Sequence, residues 1–417
     1  MESDKQSGNR SAAASGASGN FPFPSGNSVW KTPDTDSNPV LTTMIRTTIS
    51  VIALTAAMVA PSAYAHEVAG DKSHDHEATT ALPLAFALEK KGPVRAPKAI
   101  KPAAGLKVTG QGFWKFVAAP ELVPVPTEAQ SKVKPAHGTL IVDKETDTVY
   151  WGLQSVGWIA FSNKLTQSWI VQGDPVMAKG NLHGADILPR KGKRPLIAAA
   201  DNTTGQVYLT DTSFQKAEIL RIPEGQPYAD KKGFSPTDVA FTGENQLWVT
   251  DGYGKAWFMP ASISPLKYEE KYFGGKKFSG TPHGITYDPR DKSLLVSARP
   301  EGLVKRFDLK HEHVHDIEGL PPGSIVCDID LWGDYALAPC LDGPGKSNGP
   351  IYIVNLKKRT VVSTLKVKDD LGYDLALHIH DACWYVTGKG SKQEVYVLFT
   401  NWNPGGIGAI KLVNIPD

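Results

Sequence analysis

The chain has 417 residues, 41% of them apolar, and its 45 basic and 43 acidic side chains leave a net charge of +2. That balance excludes a nucleic-acid or anionic-membrane surface built on bulk charge, and the apolar share is too high for a wholly disordered chain. Glycine (39) and proline (31) suit many short strands joined by turns, and three cysteines cannot all pair within one chain.

Met1–Thr43 is polar and rich in Ser, Gly and Asn, and reads as a disordered leader or a mis-assigned start, with Met44 the more natural beginning. Residues 44–65 read as a signal peptide: Arg46, a 12-residue apolar stretch from Ile49 to Ala60, then Ala63-Tyr64-Ala65 as a cleavage site. The apolar stretch is too short to span a bilayer comfortably. The expected mature chain starts at His66, is secreted or periplasmic, and keeps no membrane span after cleavage. Residues 66–104 read as a flexible linker, polar around His66, His74 and His76 and extended from Pro93 to Pro102.

Residues 105–417 carry a repeat. A first strand is expected near Gly105–Val117. Then six similar segments follow, centred on His137, His183, Thr237, His283, Cys327 and His380, at steps of 46, 54, 46, 44 and 53 residues. That period is one four-stranded propeller blade. Each repeat offers a short inner strand at the key column (Asp238–Phe241), a second strand (Gln246–Thr250), a third (Lys255–Phe258) and a variable outer one. Equivalent second strands are expected at Thr148–Trp151, Gln206–Thr210, Ser293–Ser297, Tyr335–Ala338 and Glu394–Thr400. The last repeat offers about three strands, so the early strand is expected to close the ring. The fold class is all-β, a six-bladed β-propeller.

In such a ring His183, His283 and His380 stand on alternate blades, about 120° apart around one axis. Three imidazoles converging on one point are a metal-site pattern, zinc above all. His137, a single histidine before glycine in a strand-entry turn, reads as structural. Asp381 beside His380 suits a second cation or a ligand-orienting role. Val249-Thr-Asp-Gly-Tyr253 and Ser297-Ala-Arg299 end the second strands of adjacent blades, so Tyr253 and Arg299 are expected over the same channel mouth as candidate base and cation. His311, His313 and His315 alternate and read as one exposed strand face. Cys327 and Cys340 flank the Trp332-Gly-Asp334 turn and either face each other across a hairpin or, with Cys383, stay buried thiols.

Taken together, these segments resemble the peptidyl-α-hydroxyglycine α-amidating lyases, six-bladed propellers related to NHL repeats, over roughly residues 135–400. The motifs that carry the likeness are Leu182-His183-Gly184-Ala185, Pro236-Thr-Asp-Val-Ala240, Val249-Thr-Asp-Gly-Tyr253, Thr281-Pro-His283-Gly284, Ser297-Ala-Arg299-Pro-Glu301 and His378-Ile-His380-Asp381, in the family's order. The resemblance implies zinc on His183, His283 and His380, structural calcium near Asp381, Tyr253 as catalytic base and Arg299 as an active-site cation. It implies cleavage of a peptidyl- or N-acyl-α-hydroxyglycine to an amide and glyoxylate. The chain departs from the family at Gly254, where a disulfide cysteine is expected, at His378, where methionine is expected, at Lys255-Ala-Trp257, and at Trp151–Trp158, which holds no arginine. Two other readings remain: a lactonase-type metal-dependent hydrolase, and a non-catalytic secreted propeller whose tryptophans (Trp151, Trp158, Trp248, Trp257, Trp402) bind a protein or glycan. The expected partner of an enzyme is a small-molecule or peptide substrate, and the expected state is a monomer.

Overall fold

A computed structural model describes residues 105–413, except 276, 277, 279 and 311. The leader, signal peptide and linker readings lie outside the described residues. Among the described residues no helix is long and apolar enough to cross a membrane.

The described chain forms six antiparallel sheets, five of four strands and one of five. In chain order the inner strands are Gly138–Asp143, Leu182–Arg190, Asp238–Gly243, Pro282–Asp288, Asp330–Trp332 and Ile379–Thr387. Each begins at or within three residues of the key column. The sixth blade takes its outermost strand from ahead of the first blade: Lys115–Ala118 pairs with Gly406–Val413, Phe116 opposite Leu412. Fourth-strand pairing between the two ends of the fold therefore closes the ring, as the short last repeat requires, and leaves no long open edge.

Six apolar clusters hold the ring, one at each blade–blade interface. Period-two alternation sends successive side chains of one strand to opposite neighbours. Val149, Trp151 and Leu153 pack on the sixth blade with Tyr385 and Leu398, whereas Tyr150 packs on the second with Ile197 and Tyr208. Both faces are covered, which is why Thr148–Leu153 is buried along its whole length. Trp151, Trp158 and Trp248 are core residues, at most 2% exposed.

The second blade departs from expectation. Its second strand is Lys193–Asp201, and Gln206–Asp211 is its third. The Ala198-Ala-Ala200 run has low intrinsic strand preference, but small side chains are what fit between two packed sheets, and all three alanines are buried. In the fifth blade Val326 bridges Cys340, and Cys327, Cys340 and Cys383 are buried free thiols. The outer strand of the fourth blade is His313–Asp316, where His313 is exposed and bonds Asp316 at 2.7 Å; His311 lies outside the described residues.

Candidate metal centre

The column residues meet at the ring's axis. The imidazole centroids of His183 and His283 are 4.8 Å apart, those of His183 and His380 4.5 Å, and those of His283 and His380 5.1 Å. Each of the three side chains is 2% exposed. A small axial cavity is lined by these histidines together with Asp238, Asp328 and Asp381.

The glycine after a column histidine sets the ring's orientation. A Cβ on Gly184 would stand 2.4 Å from the Thr237 carbonyl oxygen, and one on Gly284 would stand 2.6 Å from that of Cys327. Because glycine lets the next blade pass this close, His183 Nδ1–H donates to the Thr237 carbonyl and His283 Nδ1–H to the Cys327 carbonyl, both at 2.8 Å. An imidazole that donates from Nδ1 keeps its lone pair on Nε2, facing the axis. His380 is followed by Asp381 instead of glycine, and both of its buried ring nitrogens lack a hydrogen-bond partner. A buried orphan imidazole between two lone-pair-bearing ones is a donor set that fits a divalent transition ion. Gly184→Ala should therefore cost about 1–3 kcal/mol of stability, the usual range for overpacking, measured as a lower denaturant midpoint. An unchanged midpoint would show that the blade contact is looser than its geometry implies.

Burial holds His183, His283 and His380 well below the ordinary histidine range, with neighbouring imidazoles and Arg299 adding to it. At neutral pH they are uncharged and ready to ligate.

Tyr253 sits in the throat of this cluster. The turn that presents it is tied by Asp251, whose carboxylate accepts the backbone N–H groups of Ser235 and Lys255 at 2.6 Å each and the Tyr228 hydroxyl. At Gly254 a Cβ would lie 2.1 Å from that carboxylate, so this turn has no room for a cysteine. Tyr253 is 42% exposed, while its hydroxyl reaches inward to His283 Nε2 at 2.9 Å and His183 Nε2 at 3.2 Å. Arg299 Nη1–H donates to the same hydroxyl at 2.8 Å. Burial raises the phenol above its ordinary range, and Arg299 opposes that rise.

Four carboxylates on the inner strands stitch neighbouring blades together. Asp186 accepts from Phe241 N–H, Asp238 from Ile285 N–H, Asp330 from Trp384 N–H and Asp381 from Leu140 N–H, at 2.6–2.8 Å. Asp328 lines the same axial cavity as Asp381, and burial raises both above the usual carboxylate range.

Sequence reasoning left His137 outside the site, because a single histidine before glycine in a strand-entry turn reads as structural. The structure brings it in: the ligand atoms of His137, His183 and His380 all lie within 4.8 Å of one another, and the group could hold a metal ion. Its column position was the available signal. The Trp402 ring, half-buried, stacks on His137 at 5.4 Å and 16°. Nearby His378 bonds Asp342 at 2.9 Å.

No protein-family model matches the chain, and no curated protein sequence does. Solved structures do. A gluconolactonase from Xanthomonas campestris aligns at 11% identity over 76% of this chain and 99% of its own, with a TM-score of 0.50. A virginiamycin B lyase from Staphylococcus aureus aligns at 13% identity over 74% of this chain and 94% of its own, TM-score 0.44. The hydrazine synthase of Kuenenia stuttgartiensis aligns at 14% identity over 49% of this chain, TM-score 0.35, and the chain spans about half, 53%, of that protein. At 11% identity the likeness to the gluconolactonase is one of fold alone.

Proposed function

We propose that the protein is an exported metal-dependent lyase-like propeller, cleaving the carbinolamide C–N bond of a peptidyl- or N-acyl-α-hydroxyglycine to an amide and glyoxylate. The observation that carries this reading is the Tyr253 hydroxyl, held between the Nε2 atoms of two axial histidines and bonded by Arg299. The ordered motifs shared with the amidating lyases point the same way.

His183, His283 and His380 would hold the ion. Zinc bound there supplies Lewis acidity toward the substrate hydroxyl. As the tyrosinate, which Arg299 and a cation held by the adjacent histidines would favour against the effect of burial, Tyr253 accepts the proton of that hydroxyl. The released electron pair forms the aldehyde of glyoxylate as the C–N bond breaks, and Tyr253 returns the proton to the departing amide nitrogen. Among the described residues Arg299 forms no ion pair with a carboxylate, so its guanidinium is free to steady the tyrosinate or the substrate carboxylate. Asp381, with Asp328 and Asp238 beside it, would hold calcium: buried carboxylates with raised proton affinity are ones that a divalent cation would discharge.

Those three carboxylates also favour a second reading, a lactonase-type hydrolase, since oxygen ligands suit a hard divalent ion. Metal quantification on purified protein, followed by an α-hydroxyhippurate cleavage assay, separates the two. One equivalent of zinc with glyoxylate release supports the lyase. Calcium alone, with lactone opening, supports the hydrolase, and no metal with no turnover leaves a binding propeller.

A further inference from the structure

We propose that His137 is a fourth imidazole ligand at this axis, so that the site offers a divalent transition ion four neutral ring nitrogens; the inference rests on the metal-site reading above.

The geometry comes from blades one, two, four and six. The His137 ring centroid lies 5.2 Å from that of His183 and 4.9 Å from that of His380, beside the 4.5–5.1 Å that separates the three alternate-blade rings. Its ligand atom falls within 4.8 Å of theirs. Two nitrogens on one ion at ~2.1 Å each span at most ~4.2 Å, so bringing His137, His183 and His380 onto one ion needs only a small side-chain adjustment.

The ring is also held in the way a ligand is held. Trp402 lies flat against it, and Asn181 stands 3.3 Å from Nδ1, which leaves Nε2 as the nitrogen free to ligate. Asn181 is itself anchored: its N–H donates to Asp201 at 3.1 Å and its Nδ2 to Asn202 at 3.0 Å. Its Oδ1 is buried and without a partner. Turning the Asn181 and Asn202 carboxamides together keeps their mutual hydrogen bond and places Asn181 Oδ1 where it accepts His137 Nδ1–H, repeating the carbonyl support seen at His183 and His283 and directing the Nε2 lone pair inward.

Four imidazoles and no carboxylate leave the ion its full charge. Such a set suits zinc, copper, iron or nickel over calcium or magnesium. His137 is the least buried of the four, and so the ligand nearest the mouth.

The test uses chelator-stripped full-length protein loaded with one equivalent of Cu2+, with ligand nitrogens counted by electron paramagnetic resonance, alongside competition measurements of zinc affinity. Expected are four nitrogens in the wild type, three in His137→Phe, and zinc binding weakened by at least ~10-fold in that variant. Phenylalanine keeps an aromatic ring against Trp402, so packing is preserved while the ligand is lost, and His137→Gln provides a polar second variant. An unchanged nitrogen count and affinity in both variants overturns the fourth ligand and leaves the three-histidine site standing. A wild type that takes up neither Cu2+ nor zinc stoichiometrically overturns the metal-site reading as well.

Discussion

His183→Ala should remove stoichiometric zinc while leaving the propeller folded. The substitution deletes an Nε2 aimed at the axis and the Nδ1–H that fixes it on the Thr237 carbonyl. Loss of a supporting contact around a metal ligand typically costs 10–100-fold in affinity, so loss of the ligand itself should exceed about 100-fold. The fold has a wide margin by comparison. Six separate apolar clusters join the blades, and an orphaned carbonyl at one of them costs about 1–3 kcal/mol. His283 is held in the same way by the Cys327 carbonyl, and its alanine variant should behave alike. Elemental analysis with far-ultraviolet circular dichroism reads both effects. A His183→Ala protein that still carries one tightly bound zinc would mean that the ion sits elsewhere.

Tyr253→Phe should keep the metal and lower kcat for carbinolamide cleavage by about 10²–10⁴, the range that a positioned proton-transfer group contributes. The change removes a single oxygen, the one that bridges His183, His283 and Arg299. With Tyr253 42% exposed, neither packing nor folding should suffer. The measurement is turnover of α-hydroxyhippurate at matched metal occupancy, and wild-type turnover in the variant would remove Tyr253 from the chemistry. Because Arg299 donates to the same oxygen, the phenylalanine variant also frees a guanidinium beside the site. A lower KM accompanying the lower kcat would show that guanidinium turning to the substrate carboxylate.

Much of this arrangement is legible in the linear chain. A repeat of 44–54 residues with a polar column at one phase is enough to place one blade per repeat and each column residue near an inner strand, because blade length is bounded by four short strands and their turns. The missing fourth strand of the last repeat, supplied by Lys115–Ala118, is legible for the same reason. The convergence of His183, His283 and His380 follows from ring symmetry once the blades are counted.

Other features depended on how blades pack. The strand order of the second blade was obscured by Ala198–Ala200, whose small size serves the interface instead of the strand. Membership of His137 in the cluster depends on how near blade one's entry turn comes to the axis, which no spacing encodes. Nor does the sequence show that glycine after histidine admits the neighbouring blade's carbonyl to Nδ1, whereas aspartate after His380 is tied to Leu140. Periodicity determined the number of blades and which residues share a phase. Only the tertiary structure decided which imidazole nitrogens face the axis, because a ring's tautomer and tilt are set by the carbonyls and side chains of the adjacent blade, and those contacts join positions some fifty residues apart in the chain.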